Sequence, residues 1–402
     1  MRCPFQMRWV LLALGCLQLH CAADWVHYRG PFANGVVAEG GWLVGQGVVR
    51  EVWRAQVGVG SSSSVVSDGW LFTAGHSGEN EVVRCLSAGN GRERWKFSYP
   101  VALDPNLFEG GSRATPTLGK SGLYVLSHEG HVYCLDIATG TVRWKRHLVV
   151  DFGAVKPEWG FSGAPLVYGE QVIIDAGGLG ASTISLDADS GELRWKSGTD
   201  KISYAGPLAV NLEERSTLVF FKAGALIGVE PRTGRELWRH LWKTDYNVHA
   251  ASPLPTGGDR LMISSGYNAG ACMVQISGDK VSEVWRNKNL RCHINSPTVW
   301  GEFIFGIDGN TGGGNLVCIS SLTGERQWEE KSVKGGALIA AGGKLICVSE
   351  KGDLVVAEAR GDAFKQILRK PVLRQRTWAQ PVLVDGRLYL RDNAGNLVCL
   401  AQ

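Results

Sequence analysis

The sequence contains no apolar stretch of the roughly 20 residues that a membrane-crossing helix requires. The N-terminal run Trp9 to Leu19 is too short for a permanent anchor. Runs of like charge are absent as well, and 42 Lys and Arg against 38 Asp and Glu leave a net charge of only +4. That is too little to imply a nucleic-acid partner. No two of the 10 cysteines are adjacent. The zinc-binding helix pattern is missing: His128-Glu129-Gly130-His131 spaces its histidines three apart instead of four and reads as a hairpin turn. Asp308-Gly309-Asn310-Thr311-Gly312 sets oxygen ligands at alternate positions but lacks the distal Glu of a calcium loop, so a glycine-rich hairpin loop is expected. Gly160-Phe161-Ser162-Gly163 opens a strand with no helix after it, which excludes a nucleophile elbow.

Glycine and tryptophan, by contrast, are abundant: 53 and 15 of 402 residues. Seven of the tryptophans, at 53, 95, 144, 195, 238, 285 and 328, are separated by 42, 49, 51, 43, 47 and 43 residues. A period of about 40–50 residues marks a propeller or solenoid. Most copies share one phrase, clearest in Leu186-Asp187-Ala188-Asp189-Ser190-Gly191-Glu192-Leu193-Arg194-Trp195. It returns around Gly91 and Trp95, Gly140 and Trp144, Gly234 and Trp238, and Gly324 and Trp328. In the Asp-x-x-Thr/Ser-Gly turn the Asp bonds its own backbone and the Gly takes a positive φ.

Each unit opens on a short apolar strand, often marked by proline, as in Ala251-Ser252-Pro253-Leu254 and Asn295-Ser296-Pro297-Thr298. Two more strands follow, then the turn, then the tryptophan strand. The expected unit is therefore a four-stranded antiparallel blade. Eight first strands are present for seven repeat tryptophans, the slot near Phe364-Lys365-Gln366 is degenerate, and Trp53 precedes the first unit. The strand Val49–Val57 should therefore complete the last blade, beside Leu400. The fold expected is all-β: a closed eight-bladed β-propeller over residues 49–402, its last blade completed by the N-terminal strand. Closure removes the exposed sheet edges of an open array.

Residues 1–23 read as a signal peptide, with Arg2 and Arg8 before the apolar run and Cys21-Ala22-Ala23 at the cleavage site. Export to the periplasm is the expected localisation. Ala13-Leu14-Gly15-Cys16 departs at two positions from the box preceding a lipidated cysteine, so membrane association through Cys16 is the alternative. Residues 24–48 read as an ordered irregular segment, since Trp25, His27 and Tyr28 are uncommon in a disordered tail. Export implies an oxidising compartment. Yet Cys85, Cys134, Cys318 and Cys399 share one repeat position, too far apart for bridges that need Cα atoms within about 7 Å. They are expected to be small buried hydrophobes.

The Leu-Asp-x-x-Thr-Gly-x-x-x-Trp phrase and the proline-marked strand starts resemble the pyrroloquinoline-quinone-like (PQQ-like) β-propeller repeat family, over essentially residues 49–402. Trp25-Val26-His27-Tyr28-Arg29-Gly30-Pro31 is similar to the opening of exported members from planctomycete-type bacteria. The resemblance implies two branches. One is the quinoprotein alcohol dehydrogenases, which hold PQQ and calcium, form a disulfide between adjacent cysteines and use an Asp base. The other is BamB, a non-enzymatic outer-membrane assembly factor. Without a Cys-Cys pair, and with blades of about 47 residues leaving no room for inserted loops, no catalytic residue carries over and no cofactor is expected.

Residues just before each first strand share a repeat position, so a ring gathers them at one channel mouth. They are Glu109 and Arg113; Glu158, Trp159 and Phe161; Tyr204; Tyr246, Asn247 and His249; Cys292, His293 and Asn295; and Arg376 and Trp378. Aromatics interleaved with polar groups suit a small polar ligand or a peptide loop. His249 and His293 come from separate blades without a carboxylate between them, so no metal is expected. The expected role is a monomeric, non-catalytic binding or scaffold protein of the cell envelope resembling BamB. The alternatives are a PQQ-dependent oxidoreductase and a propeller that binds a small polar ligand or sugar.

Overall fold

The computed structural model describes residues 24–37, 42 and 47–402. The signal-peptide reading of residues 1–23, Cys16 included, and residues 38–41 and 43–46 of the N-terminal segment lie outside the described residues. Eight sheets follow one another around a ring. Blades 1 to 7 occupy residues 65–100, 117–147, 166–197, 208–241, 254–287, 298–334 and 337–371. Blade 8 joins Val382–Val384, Arg387–Arg391 and Asn396–Ala401 to the strand Arg50–Gln56. That strand runs antiparallel to the last one, with Trp53 opposite Cys399 and Gln56 opposite Asn396. The two ends of the propeller are thus joined within one blade.

Two features depart from eight uniform four-stranded blades. Val36–Val37 adds a fifth, parallel strand to the inner edge of blade 7, Val36 opposite Ala340. A helix of five residues, Leu148–Phe152, interrupts the connection from blade 2 to blade 3 and ends on Gly153 at φ 65°. The prolines that mark the strand starts stand one residue ahead of the paired strands, as Pro165 does before Leu166–Tyr168 and Pro253 before Leu254–Gly257. Proline has no N–H to give to a ladder, so this position costs nothing.

The repeated phrase is explained by what crosses each seam between blades. In blade 2 the Asp136 carboxylate accepts the N–H groups of Ala138 and Thr139 at 3.0 and 2.9 Å, which folds the turn. Gly140 follows at φ 74°. A Cβ there would stand 2.5 Å from the Trp95 ring of blade 1. The same holds at 2.7 Å for Gly91 under Trp53, 2.6 Å for Gly191 under Trp144, 2.4 Å for Gly234 under Trp195 and 2.6 Å for Gly324 under Trp285. Glycine is thus required twice over, for its backbone angle and for the absent side chain.

Six of the seven repeat indoles also donate their N–H across the seam: Trp53 to Ala88 O, Trp95 to Ile137 O, Trp144 to Ala188 O, Trp195 to Pro231 O, Trp285 to Ser321 O and Trp328 to Arg360 O, all at 2.9–3.0 Å. Blade 7 has Leu368, opposite Val356, in the tryptophan slot. The repeated cysteines are equally well explained. Cys85, Cys134, Cys318 and Cys399 lie directly opposite their tryptophans across the strand pair, where a slim side chain leaves room for the indole. Gly228 holds that place opposite Trp238. All seven described cysteines are buried and unpaired.

Comparing two glycines of like backbone but unlike surroundings tests the seam. Gly69, at φ 75°, has nothing within 4 Å of a Cβ, whereas Gly191, at φ 70°, faces Trp144. Gly69→Ala should cost about 1–2 kcal/mol, the left-handed backbone penalty. Gly191→Ala should cost about 1–3 kcal/mol more, for displacing an indole from a packed seam. Urea unfolding of the two variants measures the difference; equal costs would mean the indoles do not lock the ring.

Candidate functional site

The first strands of the blades line a central channel, and the ring of residues ahead of them is stitched by side-chain bonds to the next blade. Ser63 N–H donates to Thr115 Oγ1 at 3.0 Å, Gly206 N–H to Ser252 Oγ at 3.1 Å and Ser252 N–H to Ser296 Oγ at 2.8 Å. This is the structural role of the hydroxyl residue directly before the proline, Thr115, Ser252 or Ser296.

One end of the channel is stopped by the chain's own N-terminal segment. Trp25 pairs with Val66 of blade 1, Val26 O accepts Leu118 N–H of blade 2, and Gly35 O accepts Ala340 N–H of blade 7. Asn34 O accepts the Thr298 hydroxyl of blade 6. Arg29, 1% exposed, donates to the carbonyls of Pro253 and Pro297. Burial pulls its guanidinium down to about 10, so it stays charged at neutral pH. The aromatic segment Trp25–Pro31 is thus a plug, held by carbonyls that the prolines leave facing the channel.

Above the plug lies a cup of about 230 Å³. Of the expected mouth residues, Arg113, Trp159, Tyr204, His293, Asn295 and Trp378 line it. Trp159 meets Tyr204 edge-on at 5.7 Å, and Trp378 packs on Phe108 at 5.8 Å. Glu109 and Arg376 stand behind this wall: Arg376 stacks over Trp378 at 5.1 Å and lies 3.5 Å from Glu109, which accepts from Asn393. Glu158 and Asn247 are exposed outside the lining. Tyr246, 65% exposed, packs on Tyr267 at 4.8 Å.

Phe161 and His249 depart from the expectation. Phe161 is buried in the core between blades 2 and 3, against Leu148 and Tyr124 among others. His249 is fully buried, its Nδ1 bonded to Ser265 Oγ at 2.9 Å and its Nε2 to Ala223 O at 3.1 Å. His249 lies between Val248 and Ala250, which both line the cup, and Phe161 lies beside Ser162, which does too, so alternation along an extended segment turns both into the seams. Cys292, named with them, is also fully buried.

The cup includes residues that repeat position did not reveal: Tyr28 from the plug, Asn106 to Phe108 from the connection between blades 1 and 2, and Tyr267 and Thr311 from loops between second and third strands. Those loops open on the same face as the entries to the first strands. His293 accepts the Thr311 N–H at Nδ1, 3.2 Å. Burial lowers it to about 4, so the ring is neutral and its proton sits on Nε2, a donor.

Behind Arg113 lies a buried polar cluster. Arg113 donates to Asp104 at 3.3 Å, while its Nε and Nη1 and both nitrogens of His128 make no hydrogen bond, His128 Nε2 lying 3.4 Å from Glu129. Burial, with the Arg113 charge adding to it, pulls His128 down to about 4. Glu81, fully buried, accepts the Tyr99 hydroxyl at 2.7 Å, and burial pushes its carboxyl up to about 7.

The lining contains no Asp or Glu. Calcium binds through several oxygens, carboxylates prominent among them, and oxidation of an alcohol needs a base for its proton. The residues of this cup therefore do not fit PQQ with calcium.

Glu81 should set a pH dependence of stability. Between about 4.5 and 7 the folded chain keeps a proton that the unfolded chain has released, so stability falls as pH rises through that window. Glu81→Gln should remove the fall and stabilise the protein at pH 8 by up to about 3 kcal/mol relative to its effect at pH 4. Denaturation midpoints of both proteins across that range measure it; parallel curves would show that Glu81 ionises normally.

Several known proteins resemble this chain. BamB from Moraxella catarrhalis superposes with a TM-score of 0.65 at 17% identity, over 89% of this chain and 98% of that one. The quinohemoprotein alcohol dehydrogenase of Comamonas testosteroni gives 0.65 at 13% identity, over 94% and 80%. At such identities the likeness is one of fold. The serine/threonine-protein kinase AfsK of Streptomyces griseus is 31% identical over 103 residues, so the match spans 24% of this chain and only 12% of the kinase. Residues 79–330 match the model of the family described as outer membrane protein assembly factor BamB. That match covers more than half of the sequence, and the chain belongs to this family.

Proposed function

We propose that this protein is an exported, non-catalytic binding propeller of the cell envelope that receives a segment of a partner protein at its open mouth. The observation behind the reading is a cup stopped at one end by the chain's own plug and rimmed at the other by aromatic side chains. Trp and Tyr in half-buried positions are the anchors that dominate protein interfaces. Beside Trp159, Tyr204 and Trp378 the rim carries Leu107, 88% exposed, and Tyr246, 65% exposed. An apolar rim of this kind is costly in water and is relieved by a protein surface. The family's description, outer-membrane assembly, supports an envelope location and a scaffolding role.

A second reading, a small polar ligand or sugar, has its own support. Arg113, His293, Asn295 and Gln380 bring polar groups to the same cup, and an aromatic wall with a few convergent polar groups is the usual form of a small-molecule site.

Immobilised protein, in the monomeric state we propose, should retain one envelope protein in stoichiometric amount. Trp159→Ala or Trp378→Ala should weaken retention by about 2 kcal/mol or more, as loss of an interface anchor does. Leu107→Asp should weaken it too. Phe32→Ala, at an exposed position on the plugged face, should leave it unchanged. Retention that survives the mouth variants and falls with Phe32→Ala would place the partner on the other face; displacement by free sugars would favour the second reading.

A further inference from the structure

Between blades 4 and 5 the repeat tryptophan is present but lacks the hydrogen-bonded lock that the other six make. Blade 5 turns through Ser277-Gly278-Asp279-Lys280 and has no Asp-x-x-Thr-Gly phrase. Trp238 of blade 4 accordingly has a buried indole N–H with no partner, unlike the other six repeat tryptophans. Three potential metal ligands meet in this seam: His240, Cys272 and Glu283, whose ligand atoms all lie within 4.8 Å of one another.

The strands explain why they meet. His240 stands two residues after Trp238 on the last strand of blade 4 and so shares its face toward blade 5. Cys272 lies on the third strand of blade 5, opposite Arg286. It packs with Trp238 and Trp242 and so faces blade 4. Glu283 would ordinarily share the side of Trp285, two residues on. A bulge between the two pairs Trp285 with Met273 and Glu283 with Val274, which turns the carboxylate back toward His240. Nε2 of His240 is buried, without a hydrogen-bond partner, 3.5 Å from Glu283 Oε1.

We propose that His240, Cys272 and Glu283 bind a zinc ion that staples blade 4 to blade 5 in place of the missing tryptophan lock. Imidazole, thiolate and carboxylate form a donor set that zinc takes in tetrahedral geometry, with bonds of about 2.0–2.3 Å. Such bonds put ligand atoms about 3.4–3.8 Å apart, which small side-chain rotations from the present spacing reach. Glu283, 38% exposed, gives the ion its path from solvent, and water takes the fourth position. Cys272 gives its proton to solvent as the thiolate binds. Arg286 donates to Glu283 Oε1 at 3.1 Å and stacks over Trp242 at 4.4 Å, so the ion takes this carboxylate oxygen from a guanidinium that keeps its aromatic partner. The other cluster of this kind among the described residues, Asp104, His128 and Glu129, is different. Lys156 lies against both of its carboxylates, so a cation is already in place.

The test is titration of the metal-stripped full chain with zinc alone, and with cobalt(II) as a spectroscopic stand-in. One equivalent should bind, raise the melting temperature, and with cobalt produce a thiolate charge-transfer band. Cys272→Ser should abolish the band. Glu283→Gln, at a position exposed enough to spare folding, should weaken binding by at least the roughly 10–100-fold that loss of an outer-shell partner costs, as should His240→Gln. Binding without the band, a band that persists in Cys272→Ser, or affinity unchanged in Glu283→Gln would each overturn the proposal.

Discussion

The architecture depends on one contact repeated around the ring: the indole of one blade lying over the turn glycine of the next. Each half of the contact explains the other. The indole can lie flat on the turn only because no Cβ stands there, as the 2.4–2.7 Å approaches at Gly91, Gly140, Gly191, Gly234 and Gly324 show. The turn presents its carbonyl to the indole N–H because an Asp such as Asp136 or Asp187 holds it folded through its own backbone N–H groups. Burying an indole gives a large apolar gain, and the hydrogen bond sets its direction. Blades that would each be marginal as isolated sheets become one body.

A ring so built has a closure problem, and the chain solves it twice. Arg50–Gln56 supplies the outer strand of blade 8, so Trp53 locks over Gly91 of blade 1 as any other repeat tryptophan would. The preceding segment then crosses the channel and ties blades 1, 2, 5, 6 and 7 together from within, through Trp25, Val26, Arg29, Asn34 and Gly35. The functional consequence is asymmetry: a propeller channel has two mouths by symmetry, and the plug leaves one.

The ring was legible because its law is local and periodic. Tryptophan spacing located the blades, and an excess of one first strand over the tryptophans showed how the last blade closes. The cysteines at one repeat position were readable as buried residues, though not as the slim partners of the indoles, because register across a strand pair is a tertiary fact. The mouth was legible only in part. Trp159, Tyr204, His293 and Trp378 reach the cup as their repeat position implies. Phe161 and His249, one to three residues from mouth residues, turn into seams, since alternation along a segment cannot be phased without its bulges. Tyr28, Phe108 and Tyr267 belong to elements outside the counted position, and nothing periodic points to them.

What distinguishes this propeller therefore lies where the repeat is broken. The long connection from Val101 to Thr115 departs from the unit and supplies Leu107 and Phe108 to the rim, with Asp104 and Leu107 both held at positive φ. Non-glycine residues in that conformation carry strain that the surrounding structure must hold, and here Arg113 does so, bonding Asp104 and stacking over Phe108 at 4.9 Å. The same arginine separates the open cup from the buried groups of His128 and Glu81. A repeat makes each blade replaceable by its neighbour; a connection braced in this way makes one side of the mouth unlike the rest. That inequality is what the proposed binding role requires, since a surface of eight equivalent sectors offers no single register in which to bind.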